Sequence, residues 1–264
     1  ETHCYCEKHR TCKRGGDIGK TTGSSLPTIT YNDSFEKFYK DFRSEDLFIE
    51  DFYENSHCYE LDGLPNLPNN LGIGFINGIW NDSKDAKLSA QYVSRLAGGY
   101  NIHGVYNATH GKDIDLVECK LGLNFIATEP VRQLHKMWNS FFEKSTKNSK
   151  FLMICHSQGA IHVRNALLDY PPELRNRILV VAIAPGAYIY SETCAKVIHY
   201  RAEWWRDFVP RLDKSGAKRE KDTLVTLDSH PDASAFDHEF MSPTYQKKMK
   251  EHILNYIQTN GEML

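Results

Sequence analysis

Apolar residues in this chain fall into two kinds of run. Some are short and unbroken: Leu71-Gly-Ile-Gly-Phe-Ile-Asn77, Ile102-His-Gly-Val-Tyr-Asn107, Phe151-Leu-Met-Ile-Cys-His156, Ile178-Leu-Val-Val-Ala-Ile-Ala184, Val197-Ile-His-Tyr200 and Thr223-Leu-Val-Thr-Leu227. They lack the alternation of a half-exposed strand, so they predict strands covered on both faces. Others recur at helical spacing. Ala86, Ala90, Val93 and Ala97 predict a helix over 83–97, capped by Asp82 or Ser83 and stopped by Gly98-Gly99. Val131, Leu134, Trp138 and Phe141 predict another, with Thr128 as its cap and Pro130 in its first turn. A helix over 160–168 follows the 151–156 strand at once. Tyr245, Met249, Ile253, Tyr256 and Ile257 form the stripe of a last helix, begun by Ser242-Pro243. Residues 108–127 read as a polar loop, with Asp113 and Asp115 as solvated charges, and Cys58-Tyr-Glu-Leu61 reads as an edge strand. Strands alternating with helices imply an α/β chain with a mostly parallel, doubly wound sheet and helices on both faces. Reactive groups then belong on loops at the carboxyl ends of the strands.

The part before residue 71 reads differently. We expect 1–28 to be a Cys-rich, flexible segment, 29–70 an extension packed on the core, and 71–264 the core itself. Phe35, Phe38, Phe42, Leu47, Phe48 and Phe52 predict a helix from 33 to 53, capped by Asp33 or Ser34; 62–70, with Pro65 and Pro68, is loop. Cys4, Cys6, His9 and Cys12 offer four possible zinc ligands. Their spacing lacks the paired C-x-x-C arrangement, so a disordered tail outweighs a metal site. Gly19-Lys-Thr21 resembles the end of a phosphate loop, but no apolar strand precedes it and no amphipathic helix follows, which leaves a linker.

Composition narrows the possibilities. At 264 residues the chain suits one large domain, and 41% apolar with 25% charged residues is ordinary for a globular protein. A net charge of -2 gives no sign of a nucleic-acid partner. No run reaches the length of a membrane span. The start is polar and Cys-rich, unlike a secretory signal. It begins with Glu1 rather than Met, which reads as a processed form or an excised piece. The compartment therefore stays open between secretion by an intracellular bacterium and the cytoplasm, and a host partner stays unidentified. Seven cysteines is an odd number, so at least one is free or bonded to another chain, and Cys155 suits a reduced core residue.

The candidate chemistry starts at Cys155-His-Ser157-Gln-Gly159. Strand, serine between small residues, then helix is the layout of a nucleophile elbow. Gly159 meets the need for a small residue two positions on. Cys155, where the common pattern has glycine, is small as well. A serine hydroxyl needs a base, a group to orient that base, and donors for an oxyanion. Two later loops offer these: Trp204-Trp-Arg-Asp207-Phe-Val-Pro210 and Phe236-Asp-His238-Glu-Phe240. His230, in Asp228-Ser-His-Pro-Asp232, competes with His238 for the base. His156 should be turned away from Ser157. His162 and His199 read as packing or surface residues, and Trp204 and Trp205 as core residues or the wall of an acyl groove.

These segments resemble the lipase-like α/β-hydrolases. Asp207-Phe-Val-Pro210 resembles their acid loop, the His238 loop their base loop, and Gly74-Phe-Ile-Asn-Gly78 their oxyanion strand, with Asn77 where the family has histidine. The resemblance spans about residues 70–258 and is nearest to chlamydia-type bacterial members. It implies an α/β-hydrolase fold and a catalytic triad of Ser157, Asp207 and His238. The oxyanion donors would be backbone N–H groups of Gln158, Gly78 and Ile79, and Asn77 and Trp80 would face the substrate. The expected activity is that of a serine esterase, cleaving carboxylic or lipid acyl esters through an acyl-enzyme with no cofactor; a thioesterase or deacylase would use the same parts. The rival expectation is a catalytically silent scaffold serving as a binding or host-interaction protein, motivated by the departures at Cys155 and Asn77.

Overall fold

The computed structural model describes residues 25–32, 34–35 and 54–264. Cys4, Cys6, His9 and Cys12, the Gly19-Lys-Thr21 segment and most of the helix predicted over 33–53 lie outside the described residues.

Seven strands form one sheet. In chain order they are β2 (His57–Glu60), β3 (Gly72–Ile76), β4 (His103–Tyr106), β6 (Phe151–His156), β7 (Ile178–Ile183), β8 (Lys196–Ala202) and β9 (Leu224–Leu227). Their spatial order is β2-β4-β3-β6-β7-β8-β9, parallel throughout except for β2, which pairs antiparallel with β4 at the edge. A separate two-stranded ladder joins β1 (Thr30–Tyr31) to β5 (Ile126–Ala127). The crossovers are α1 (Ser83–Leu96), α2 (Lys112–Leu123), α3 (Glu129–Glu143) and α4 (Gln158–Leu168), with short helices α5 (Pro172–Arg175) and α6 (Lys214–Arg219), and α7 (Pro243–Gln258) closes the fold.

Period-two alternation divides each central strand between two cores. Leu152 and Ile154 of β6 pack with Ala90 and Val93 of α1 and with Tyr245, Met249 and Ile253 of α7. Phe151, Met153 and Cys155 point the other way, onto Leu134 and Trp138 of α3 and Val163 and Ala166 of α4. Residues on both faces of β6 and β7 are wholly buried, which is why their sequences show no polar alternation. The helix starts follow local chemistry. Asp82 accepts from the Asp85 N–H at 2.7 Å, and Ser242 caps α7 through the Thr244 N–H at 3.2 Å. This is the α/β-hydrolase fold, with the strand carboxyl ends gathered on one rim.

One expected loop is a helix. Residues 108–127 contain α2, and its buried positions are Asp115, Glu118 and Gly122 rather than its leucines. Leu116 and Val117 are 54% and 50% exposed. The amphipathic pattern is inverted, so a search for apolar periodicity misses it. Asp115, expected to be solvated, is buried, and accepts from Thr109 Oγ1 and from the His110 N–H, both at 2.7 Å. Asp113, in the first turn of α2, is exposed as expected.

Candidate active site

Ser157 stands between β6 and α4 with φ 54° and ψ -121°. A side chain in that region is strained, and such strain survives only where its surroundings impose it. They do so here through close contacts. The Ser157 carbonyl accepts from the Gly186 N–H at 2.8 Å, and the Ser157 N–H donates to the Ile183 carbonyl at 3.2 Å. Helix α4 then leaves so close to β3 that a Cβ on Gly159 would stand 2.9 Å from the carbonyl oxygens of both Ile76 and Asn77. Only glycine fits there. Cys155 meets no such obstacle: its thiol is wholly buried in the α3/α4 core.

Asp207 and His238 arrive on the loops that follow β8 and β9. Asp207 follows β8 and is fully buried. Its Oδ1 accepts from the Val209 N–H at 3.0 Å, leaving Oδ2 to meet His238 Nδ1 at 2.7 Å. His238 Nε2 lies 2.7 Å from Ser157 Oγ. Nδ1–H donates to the carboxylate, so Nε2 is left to accept from the serine. His230 has no part in this line: its backbone N–H donates to Thr244 Oγ1 and its Nδ1 accepts from the Asp232 N–H.

The His238 loop is fastened at two points that sequence reading did not find. Asp237, buried beside His238, accepts from Ser242 Oγ and Thr244 Oγ1, both at 2.5 Å, and so ties the loop to the start of α7. His156 is buried, and its Nε2–H donates to the His238 carbonyl at 2.6 Å. Burial, then the nearness of His238, pulls its pKa down to about 3, so it stays a neutral donor. The elbow does turn His156 away from the serine hydroxyl, as expected, but onto the backbone of His238.

Gly78 runs past the serine: a Cβ on it would stand 2.7 Å from Ser157 Cβ. Gln158 opens α4, and N–H groups in a first helical turn have no acceptor within the helix. The 78–79 turn and Gln158 thus flank the serine. Asn77 does not face a substrate. It is 2% exposed, its Nδ2 donates to the carbonyls of Gly78 and Asn107 at 2.9 Å each, and its Oδ1 accepts from the Asn107 N–H at 2.8 Å. Every polar group of that amide is spent on backbone. Trp80 is exposed, with the Lys112 ammonium 5.8 Å from its ring centre. His162 and His199 are buried, whereas Trp204 and Trp205 belong to no core, being 65% and 64% exposed.

Among the described residues one group of metal-ligating atoms lies together: His110, Asp115 and Glu118, within 4.8 Å of one another. Protein donors already engage both carboxylates. Asp115 is held as described, and Glu118 accepts from Thr128 Oγ1 at 2.5 Å and from Gln158 Nε2 at 3.5 Å. These contacts tie α2 to the 109–110 loop, to the start of α3 and to α4. No helix among the described residues is long and apolar enough to cross a membrane.

A family model described as "Protein of unknown function (DUF687)" matches residues 49–257. No curated protein matches the sequence. Solved structures similar to the chain include Est1E from Butyrivibrio proteoclasticus, 13% identical over 78% of this chain and 93% of that one, with a TM-score of 0.45. Esterase B from Lactobacillus rhamnosis is 12% identical over 86% and 92%, with a TM-score of 0.48. A CIB-like hydrolase from Thermoplasma acidophilum is 14% identical over 79% and 94%, with a TM-score of 0.39. None of these matches bears on the nearer likeness to chlamydia-type members.

Proposed function

The chain belongs to the DUF687 family, and from the geometry of its own site we propose that it is a serine hydrolase of carboxylic esters. Ser157 attacks the ester carbonyl while His238 Nε2 takes its proton. Asp207 holds the imidazole in the required tautomer and steadies the imidazolium that forms. Backbone N–H groups of Gln158 and of the Gly78–Ile79 turn face the developing oxyanion. His238 then protonates the departing alcohol, and water, deprotonated by the same imidazole, releases the acid from Ser157. The observation that carries this reading is the unbroken line from hydroxyl to imidazole to carboxylate, 2.7 Å at each step, ending on a serine held in a strained elbow.

The surroundings favour an apolar acyl group. Phe236 stacks on His238 with ring centres 5.5 Å apart, and Phe208 lies 5.5 Å from Phe236. Phe208, 61% exposed, shares the acid loop with Trp204 and Trp205, which are equally open. Large apolar side chains left in water around a reactive centre suit contact with a hydrocarbon chain. Thioesters pass through the same tetrahedral intermediate and are accepted by the same geometry.

Ser157→Ala should abolish both turnover of chromogenic acyl esters and labelling by a fluorophosphonate. The wild-type chain should label at Ser157 and prefer esters with several methylenes over acetate. A wild-type chain that resists the fluorophosphonate would mean a silent scaffold, and undiminished turnover in Ser157→Ala would move the nucleophile elsewhere.

A further inference from the structure

We infer that Asn77 and Asn107 form a pair of positioning residues that aims the two oxyanion donors; this rests on the acyl-enzyme reading above. The donors sit on different elements. One N–H belongs to Gln158 at the start of α4, and the other to Ile79, in the turn after β3. Nothing in the sheet ladder sets their separation, because both lie beyond the last paired residues of β3 and β6.

A buried polar relay spans that gap. Asn107 Nδ2 donates to Gln158 Oε1 at 2.7 Å, and Gln158 Nε2 reaches Glu118 Oε2 at 3.5 Å. The Gln158 side chain is therefore turned into the protein, leaving only its backbone N–H toward the serine side. On the other half, Asn77 Nδ2 donates to the Gly78 carbonyl at 2.9 Å. That carbonyl and the Ile79 N–H belong to one peptide unit, planar and trans, so they point in opposite directions. Holding the carbonyl inward holds the N–H outward. Asn81 Nδ2 strengthens the grip, at 3.3 Å from the same oxygen. The two halves are joined because Asn77 and the Asn107 backbone exchange bonds of 2.8 and 2.9 Å. Asn77 and Asn107 are 2% and 1% exposed. The Asn77 amide keeps one geometry, since any other leaves its polar groups unpaired. Asn107 Oδ1 has no partner among the described residues, and the bond from Asn107 Nδ2 to Gln158 sets that amide. Neither side chain touches the reacting atoms, so both act through the backbone groups they orient.

The test is steady-state kinetics on a chromogenic ester, with active sites counted by fluorophosphonate titration. Asn107→Ala releases Gln158, and Asn77→Ala releases the 78–79 peptide. Each should lower kcat per titrated site by about 10- to 100-fold, short of the roughly 100- to 1,000-fold cost of deleting a donor. KM should change less than about threefold, and the apparent pKa of kcat/KM should not move, because His238 and Asp207 are untouched. Asn77→Asp, which fills the same space but cannot donate to Gly78, should be as slow as Asn77→Ala. If Asn77→Ala does not fold, Asn107→Ala and the apolar Asn107→Leu decide alone, since residue 107 keeps its backbone bonds to Asn77. A purely structural role would lower the melting temperature and the number of titrated sites with full kcat per site, and that result overturns the inference. A wild-type chain that does not label at all overturns the acyl-enzyme reading instead.

Discussion

At the scale of single residues, the two oxygens of Asp207 have separate tasks. One is fixed by the Val209 N–H, and the other meets His238 Nδ1. Asp207→Asn keeps the shape but can present an N–H to Nδ1, which favours the wrong imidazole tautomer. In serine triads the same change costs roughly four orders of magnitude in kcat. A comparable fall in ester turnover is expected, with the melting temperature within a few degrees of wild type. A loss under tenfold would remove Asp207 from the proposed acid role. Ser157, Asp207 and His238 were legible because each sits in a short local pattern: serine among small residues after a strand, Asp-x-Val-Pro, histidine before a last helix. Asn107 and Glu118 were not. Their partners lie 51 and 40 residues away at Gln158, and no local spacing records such a pairing. Asn77 was expected to face a substrate, yet its amide is buried against backbone; a strand-end amide looks the same in sequence whether it turns outward or in.

Among the elements, the contact between β3 and the start of α4 decides where the serine stands. Gly159 is what lets helix and strand approach. Gly159→Ala places a methyl 2.9 Å from two backbone carbonyl oxygens, which cannot swing aside as a side chain would. A loss of about 1–3 kcal/mol of stability is expected from such overpacking, and turnover should fall with it as the elbow shifts. Urea denaturation of the variant, together with its phosphonate labelling rate, measures both. An unchanged midpoint and rate would mean the strand yields freely. Most elements could be read from apolar spacing, and the cap residues placed their starts. Helix α2 could not, since Asp115 and Glu118 face inward while Leu116 and Val117 face water. Carboxylates take the buried side because Thr109, Thr128 and Gln158 donate to them there, a reason that exists only in the folded chain.

For the molecule as a whole, buried histidines make the fold sensitive to acid; burial also lowers His103 and His252, though less far than the three most buried. Burial is the first cause that pulls each of His156, His162 and His199 down to a pKa of about 3. Unfolded, each would titrate near 6.5. Between those values the unfolded chain binds protons that the fold refuses. Stability is therefore complete above about pH 6.5 and falls as the pH drops toward 3. Each histidine contributes a slope of about 1.4 kcal/mol per pH unit, about 4 for the three together. Against a typical total of about 5–15 kcal/mol, that is a large share. Circular dichroism melts from pH 7 to 4 should show a steep decline below 6. His162→Leu, whose wild-type Nε2 has no hydrogen-bond partner among the described residues, should flatten the slope. A melting temperature level down to pH 4 would contradict this account.

The order in which the site's parts occur along the chain also matters for synthesis. The hydroxyl comes first and the carboxylate fifty residues later. The imidazole comes last, anchored through Asp237 to a helix not yet made when the loop emerges. Domains begin to fold while the ribosome still holds their tail. A nascent chain can then set its central strands and its bent serine long before anything is present to activate it. Under the proposed mechanism the serine gains its imidazole only when the closing helix docks, so activity would be the last property the growing chain acquires.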